Sequence, residues 1–140
     1  MIKNTMIKTI ALCGSMKHSD RMVEVGRALE RQGMKVYLPN IGESSDYDLF
    51  TEKQATEHKA RMIRAHLEKI KQSDVVLVVN ESLKGIDGYI GANTFLEMGF
   101  AYALEKKIYI INPLPNQPNI VELRGLQPAV LNGDLALLTI

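Results

Sequence analysis

Short apolar runs alternate along this chain with longer segments that are apolar on one side only. Ile7 to Cys13 (IKTIALC) is short and mostly apolar, which predicts a strand buried on both faces. Gly14-Ser15 ends it. Met22, Val23, Val25, Ala28 and Leu29 then recur at a spacing that gives a helix one apolar face. Ser19 or Asp20 can cap its start and Gly33 its end. Lys35 to Leu38 (KVYL) reads as a second strand, stopped by Pro39. Asn40 to Phe50 is polar, a loop of the length found both in binding loops and in plain solvated connections. Glu52 to Gln72 lacks Gly and Pro, and its Ala60, Ile63, Leu67 and Ile70 recur at helical spacing. Val75 to Val79 (VVLVV) is the clearest buried strand. Ile108 to Ile111 (IYII) reads as a fourth strand, and Pro113, Pro115 and Pro118 as a rigid loop. Asn119 to Leu123 reads as a short helix and Leu135 to Ile140 (LALLTI) as a fifth strand. Residues 1–6 read as a loose leader.

This alternation, with right-handed crossovers, predicts an α/β fold. The expectation is a doubly wound, flavodoxin- or Rossmann-like sheet of five parallel strands with helices on both faces, residues 1–140 forming one domain. Ligands in such sheets bind beyond the carboxyl ends of the strands, at the switch point between strands one and three. That rule selects Gly14, Ser15, Met16 and Lys17 after strand one, and Asn80, Glu81 and the loop through Gly91, Asn93 and Thr94 after strand three. Gly14-Ser15 lets backbone approach a ligand and adds a hydroxyl. With Lys17 and a helix start nearby, it suits a phosphate. It matches neither a Walker loop nor G-x-G-x-x-G.

The stretch Gly88 to Ala103, GYIGANTFLEMGFAYA, carries the sharpest signal. After its glycines and Asn93-Thr94, an apolar helix begins with a single acid in it, Glu97. A carboxylate among apolar neighbours costs free energy unless it is paired or ionises late. The field at the start of a helix offers partial compensation.

Composition narrows the partners. The net charge of +1 gives no excess to attract a nucleic acid polymer, so a small-molecule partner is expected. No apolar run is long enough to span a membrane, and the apolar part near the start is too short for a signal peptide. The one cysteine, Cys13, excludes an internal disulfide and suits a reducing cytoplasm. His18, His58 and His66 lie far apart without ligand-like spacing, so neither a metal nor another cofactor is expected.

The CGS after strand one, the DVVLVV strand and the pattern G-x-N-T-x-x-E-x-G-x-A resemble the nucleoside 2-deoxyribosyltransferase family and the related deoxynucleoside 5'-monophosphate N-glycosidases. The resemblance spans roughly residues 7–112. It is most specific at Thr94-Phe95-Leu96-Glu97-Met98-Gly99 with Ala101. It implies that Glu97 is the nucleophile that attacks the anomeric carbon of the sugar. It implies that Gly14 and Ser15 lie near the ligand and help hold a phosphate, with Lys17 where the monophosphate hydrolases have an arginine. Transferases of the family carry D-x-G-T before the glutamate, whereas here Gly91, Ala92, Asn93 and Thr94 stand there, without the aspartate. A family acid eight residues ahead of Asp74 is replaced by His66, read as a surface or interface histidine that can also act as acid or base. Asp87 is a candidate for supplying the missing carboxylate from a shifted position.

The implied reaction is cleavage or transfer at the N-glycosidic bond of a nucleoside or nucleoside 5'-monophosphate. A carboxylate on the opposite face of the sugar stabilises the oxocarbenium-like state or bonds to it. The resemblance also implies a homodimer or larger homo-oligomer. Tyr37, Tyr47, Tyr89 and Tyr102 are all candidates for stacking on a base. Two alternatives stand beside this reading. The loop is loosely similar to the P-G-G-x-G-T-x-x-E of phosphoribohydrolases related to lysine-decarboxylase-like proteins. A domain that binds or senses a nucleotide without cleaving it would use Glu97 only to hydrogen-bond a ribose.

Overall fold

The computed structural model describes residues 6–41 and 47–138. Five strands, β1 (Thr9–Gly14), β2 (Lys35–Tyr37), β3 (Val75–Val79), β4 (Lys107–Ile110) and β5 (Ala129–Val130), form one sheet in the order β2-β1-β3-β4-β5, every neighbouring pair parallel. This is the doubly wound order that the alternation predicts.

Alternate residues of the buried strands face opposite layers, as the period of two requires. Ile10 and Leu12 of β1, with Val75, Leu77 and Val79 of β3, pack on Met22, Val25 and Leu29 of helix α1 (Ser19–Arg31). Ala11 and Cys13, with Val76 and Val78, face the other layer. There they meet Ile70 of α2 (Glu52–Gln72), Met98 and Ala101 of α3 (Ala92–Ala103) and Leu123 of α4 (Ile120–Gly125). Cys13 therefore points toward α2 and α3, the geometry on which the site depends.

Local signals explain most boundaries. Gly33 takes a φ of +92° just after α1, a left-handed conformation that glycine adopts without steric cost. No side chain caps the start of α1: His18 stands at the cap, and Ser19 and Asp20 lie within the helix. Thr51 and Gln54 form a reciprocal capping box at the start of α2. Gly91 precedes α3, so Asn93 and Thr94 belong to the first turn of the helix rather than to the loop before it.

The fifth strand is not where its apolar run suggests. Leu135–Leu137 forms a single 3-10 turn capped by the Asp134 carboxylate, and Leu135 and Leu138 pack on the α1 side of the core. The last strand is instead Ala129–Val130, beside Tyr109 and Ile110. Residues 139–140, most of the leader and residues 42–46 of the polar loop lie outside the described residues. Tyr47–Leu49 is a 3-10 turn.

Candidate active site

The site lies at the carboxyl end of β1, between α2 and α3. Glu97 sits one turn and a half into α3 and is buried, 5% exposed. Its Oε2 lies 3.8 Å from His66 Nε2 on α2, and that nitrogen lies 3.5 Å from Cys13 Sγ on β1. The donor atoms of Cys13, His66 and Glu97 all lie within 4.8 Å of one another. His66 is thus not a surface residue: at 4% exposure it is as buried as Glu97. Its Nδ1 has no hydrogen-bond partner among the described residues.

Burial controls the ionisation of all three groups. It pushes the Glu97 carboxyl up to about 8; the Lys59 ammonium, the Cys13 thiol and then Lys69 pull it back by less. It lowers the His66 imidazole to about 4, Lys69 adding to the effect and the Leu12 carbonyl opposing it. The Cys13 thiol is raised well above its usual value, by burial first and then by Glu97. At neutral pH the trio is mostly uncharged. An ion pair across the 3.8 Å gap would need two dehydrated charges, and neither partner's surroundings favour that.

A cavity of about 70 Å³ opens onto Glu97 and His66. Met16 and Asn93 line it, as do Pro39 and Asn40 after β2, Tyr47, and a stripe of α2 comprising His58, Lys59, Met62, His66 and Lys69. Lys69 Nζ donates to the Leu38 carbonyl and to Asn40 Oδ1, both at 2.7 Å, which ties α2 to the end of β2. Lys59 Nζ lies 3.4 Å from Asn93 Oδ1 and 5.3 Å from the Tyr47 ring centroid. Tyr47 and His58, both in the wall, pack edge-on against each other, and Phe50 packs against both rings. Small-molecule sites usually measure about 300–1,000 Å³, so a nucleoside-sized ligand requires these side chains to move apart.

The other sequence candidates divide. Asn93 lines the cavity and Thr94 is buried one helical turn before Met98. Gly91 caps α3 through its backbone. Gly14 packs so closely on β3 that a Cβ there would stand 2.9 Å from the Val79 carbonyl oxygen. Ser15 Oγ accepts from the Lys17 backbone N–H, which places both at the start of the 3-10 turn Met16–His18, beside the cavity rather than in its wall. Asp87 is not brought to Glu97. It accepts from Ser82 Oγ and lines a separate, open depression with Glu81 and Asn112. Of the tyrosines, only Tyr47 borders the cavity.

Sequence reasoning missed most of the α2 wall. It followed the apolar positions, of which Ala60 is exposed and Ile63 and Leu67 are only partly covered. The pocket stripe Lys59, Met62, His66 and Lys69 has the same three- and four-residue spacing, but carries cations, a thioether and an imidazole. Cys13 was recoverable from the alternation of β1, since it shares a face with Ala11.

Residues 11–129 match the family described as nucleoside 2-deoxyribosyltransferase. The chain belongs to that family. The match takes in most of β1 and all of α2 and α3, and with them Cys13, His66 and Glu97. No curated protein matches the sequence. Among solved structures, a 2-deoxyribosyltransferase from Bacillus psychrosaccharolyticus superposes with a TM-score of 0.53 at 22% identity, over 81% of this chain and 78% of that one. The CMP N-glycosidase BcmB of Clostridium botulinum superposes with a TM-score of 0.51 at 18% identity, over 88% of this chain and 85% of that one. At these identities the likeness is one of fold. Within the described residues, no helix is long and apolar enough to cross a membrane.

Proposed function

We propose that this deoxyribosyltransferase-family protein cleaves or transfers at the N-glycosidic bond of a nucleoside or nucleoside 5'-monophosphate, with Glu97 as nucleophile. The observation that carries the reading is the position of Glu97. It is a buried carboxylate at the floor of a cavity at the sheet's switch point, within the segment matched to the family. In the dry pocket its charge acts on the developing oxocarbenium ion with little screening. Because burial holds the carboxyl near 8, only a minority is ionised at neutral pH, and the Lys59 ammonium serves to enlarge that fraction. Asn93, held by Lys59, and Tyr47 both line the cavity, which supports assigning the first to the sugar and the second to the base. A 5'-phosphate is assigned to Gly14 at the end of β1 and to Ser15 and Lys17 at the start of the following 3-10 turn, beside the cavity. The family also leads us to propose a homodimer or larger homo-oligomer, for which Tyr102, 57% exposed at the end of α3, offers contact surface.

The test is a panel of ribo- and deoxyribonucleosides and their 5'-monophosphates, each incubated with and without an acceptor base, with products separated by chromatography. Free base without an acceptor makes the protein a hydrolase, and exchange only with an acceptor makes it a transferase. If no substrate yields base from folded protein, Glu97 binds without cleaving. Replacement of a family acid by His66 is the feature that favours that second reading.

A further inference from the structure

We propose that Cys13 Sγ, His66 Nε2 and a Glu97 carboxylate oxygen bind one divalent cation of the zinc class. The three donors come from three elements, the end of β1, the middle of α2 and the second turn of α3, yet they converge within 4.8 Å. Zinc holds sulfur at about 2.3 Å and nitrogen or oxygen at about 2.0–2.1 Å, so a tetrahedral angle puts sulfur and nitrogen about 3.5 Å apart. The Cys13–His66 separation is 3.5 Å, and the His66–Glu97 separation of 3.8 Å needs only a small contraction. One sulfur, one nitrogen and one oxygen form the donor set of an open zinc site with three protein ligands. The fourth position faces the cavity, which also borders His66 and Glu97.

The three side chains hold one another only weakly. The 3.8 Å between His66 Nε2 and Glu97 Oε2 is longer than a hydrogen bond, and the 3.5 Å contact between Cys13 and His66 is a weak sulfur one. On binding, the thiol and carboxyl protons leave to solvent, and thiolate plus carboxylate neutralise the two positive charges. The ammoniums of Lys59 and Lys69 then face a neutral centre. The same coordination takes the Glu97 oxygen away from the sugar. Given the function proposed above, a bound cation switches base release off.

The experiment titrates the full chain with Zn²⁺ by calorimetry and with Co²⁺ by absorption. One equivalent should bind, and Co²⁺ should give a thiolate-to-metal charge-transfer band together with the visible bands of a tetrahedral ion. Cys13→Ala should abolish the charge-transfer band. His66→Gln and Glu97→Gln, checked for folding by circular dichroism, should each weaken Zn²⁺ binding by at least the roughly 10–100-fold that loss of a mere supporting partner costs. Wild-type protein that takes up no stoichiometric Co²⁺ or Zn²⁺ overturns the site, as does binding that survives unchanged in Cys13→Ala and Glu97→Gln. Stoichiometric Zn²⁺ should stop base release and a chelator restore it; release that continues with the metal bound overturns the inhibition. The metal titration needs no turnover, so failure of the glycosidic reading and failure of the metal site are separately visible.

Discussion

Raising the pH from 6.5 to 8 should destabilise the protein through one carboxyl group. Glu97 has an ordinary value of 4.5 when unfolded and about 8 when folded, so the folded state retains a proton that the unfolded chain loses. Its stabilising contribution is complete below 4.5 and is lost as the pH rises toward 8. His66 has the opposite sign: ordinarily 6.5 and about 4 in the fold, it favours the folded state above 6.5 and loses that contribution as the pH falls toward 4. Between 4.5 and 6.5 the two slopes offset each other. Between 6.5 and 8 the loss from Glu97 outweighs the last of the His66 titration in the unfolded chain, and the net loss is on the order of 1–2 kcal/mol. Asp74, lowered by the Lys8 backbone N–H, changes only in more acidic solution, and Cys13 only in more basic solution. Urea unfolding at pH 6.5 and 8 should show the loss in wild type and almost none in Glu97→Gln, which keeps the shape of the side chain without its titration. The His66 ring resonance should stay at its neutral position from pH 8 to 5, which assigns the shared proton to the carboxyl. Equal pH slopes in wild type and Glu97→Gln, or an imidazole that titrates near 8, would refute the neutral pair.

Two further outcomes follow from the same geometry. Lys59→Met removes the cation that most favours Glu97 ionisation, so the rising limb of kcat/KM against pH should move to higher pH and the rate at pH 7 should fall by roughly 2–10-fold; an unmoved profile would show that Lys59 acts elsewhere. Gly14→Ala should cost about 1–3 kcal/mol in urea unfolding, because the new methyl meets the Val79 carbonyl oxygen at 2.9 Å and Met22 Sδ at 3.2 Å, and the strand cannot yield without losing its register. A variant as stable as wild type would contradict that packing.

The sheet was legible because its central strands are unbroken apolar runs and its helices carry turn chemistry at their ends. Val75–Val79 and the glycine after α1 illustrate both signals. The fifth strand was not, for two reasons. Ala129–Val130 is too short to show any period, while the longer apolar run at residues 135–140 attracts a strand assignment although Leu135–Leu137 forms a 3-10 turn. Glu97 stood out because one acid interrupts an apolar helix. His66 did not, because an imidazole in a charged helix looks solvated until α3 closes over it. Its burial depends on the packing of α2 against β1 and α3, which no local pattern encodes.

Base release by wild type and by Glu97→Gln, both verified as folded, on the substrate that the panel selects decides whether Glu97 is the nucleophile. Wild type should release or exchange the base, and the variant should do neither above the uncatalysed rate while still binding the substrate. Turnover by Glu97→Gln at the wild-type rate would contradict it, and the nucleophile would have to be sought elsewhere in the cavity.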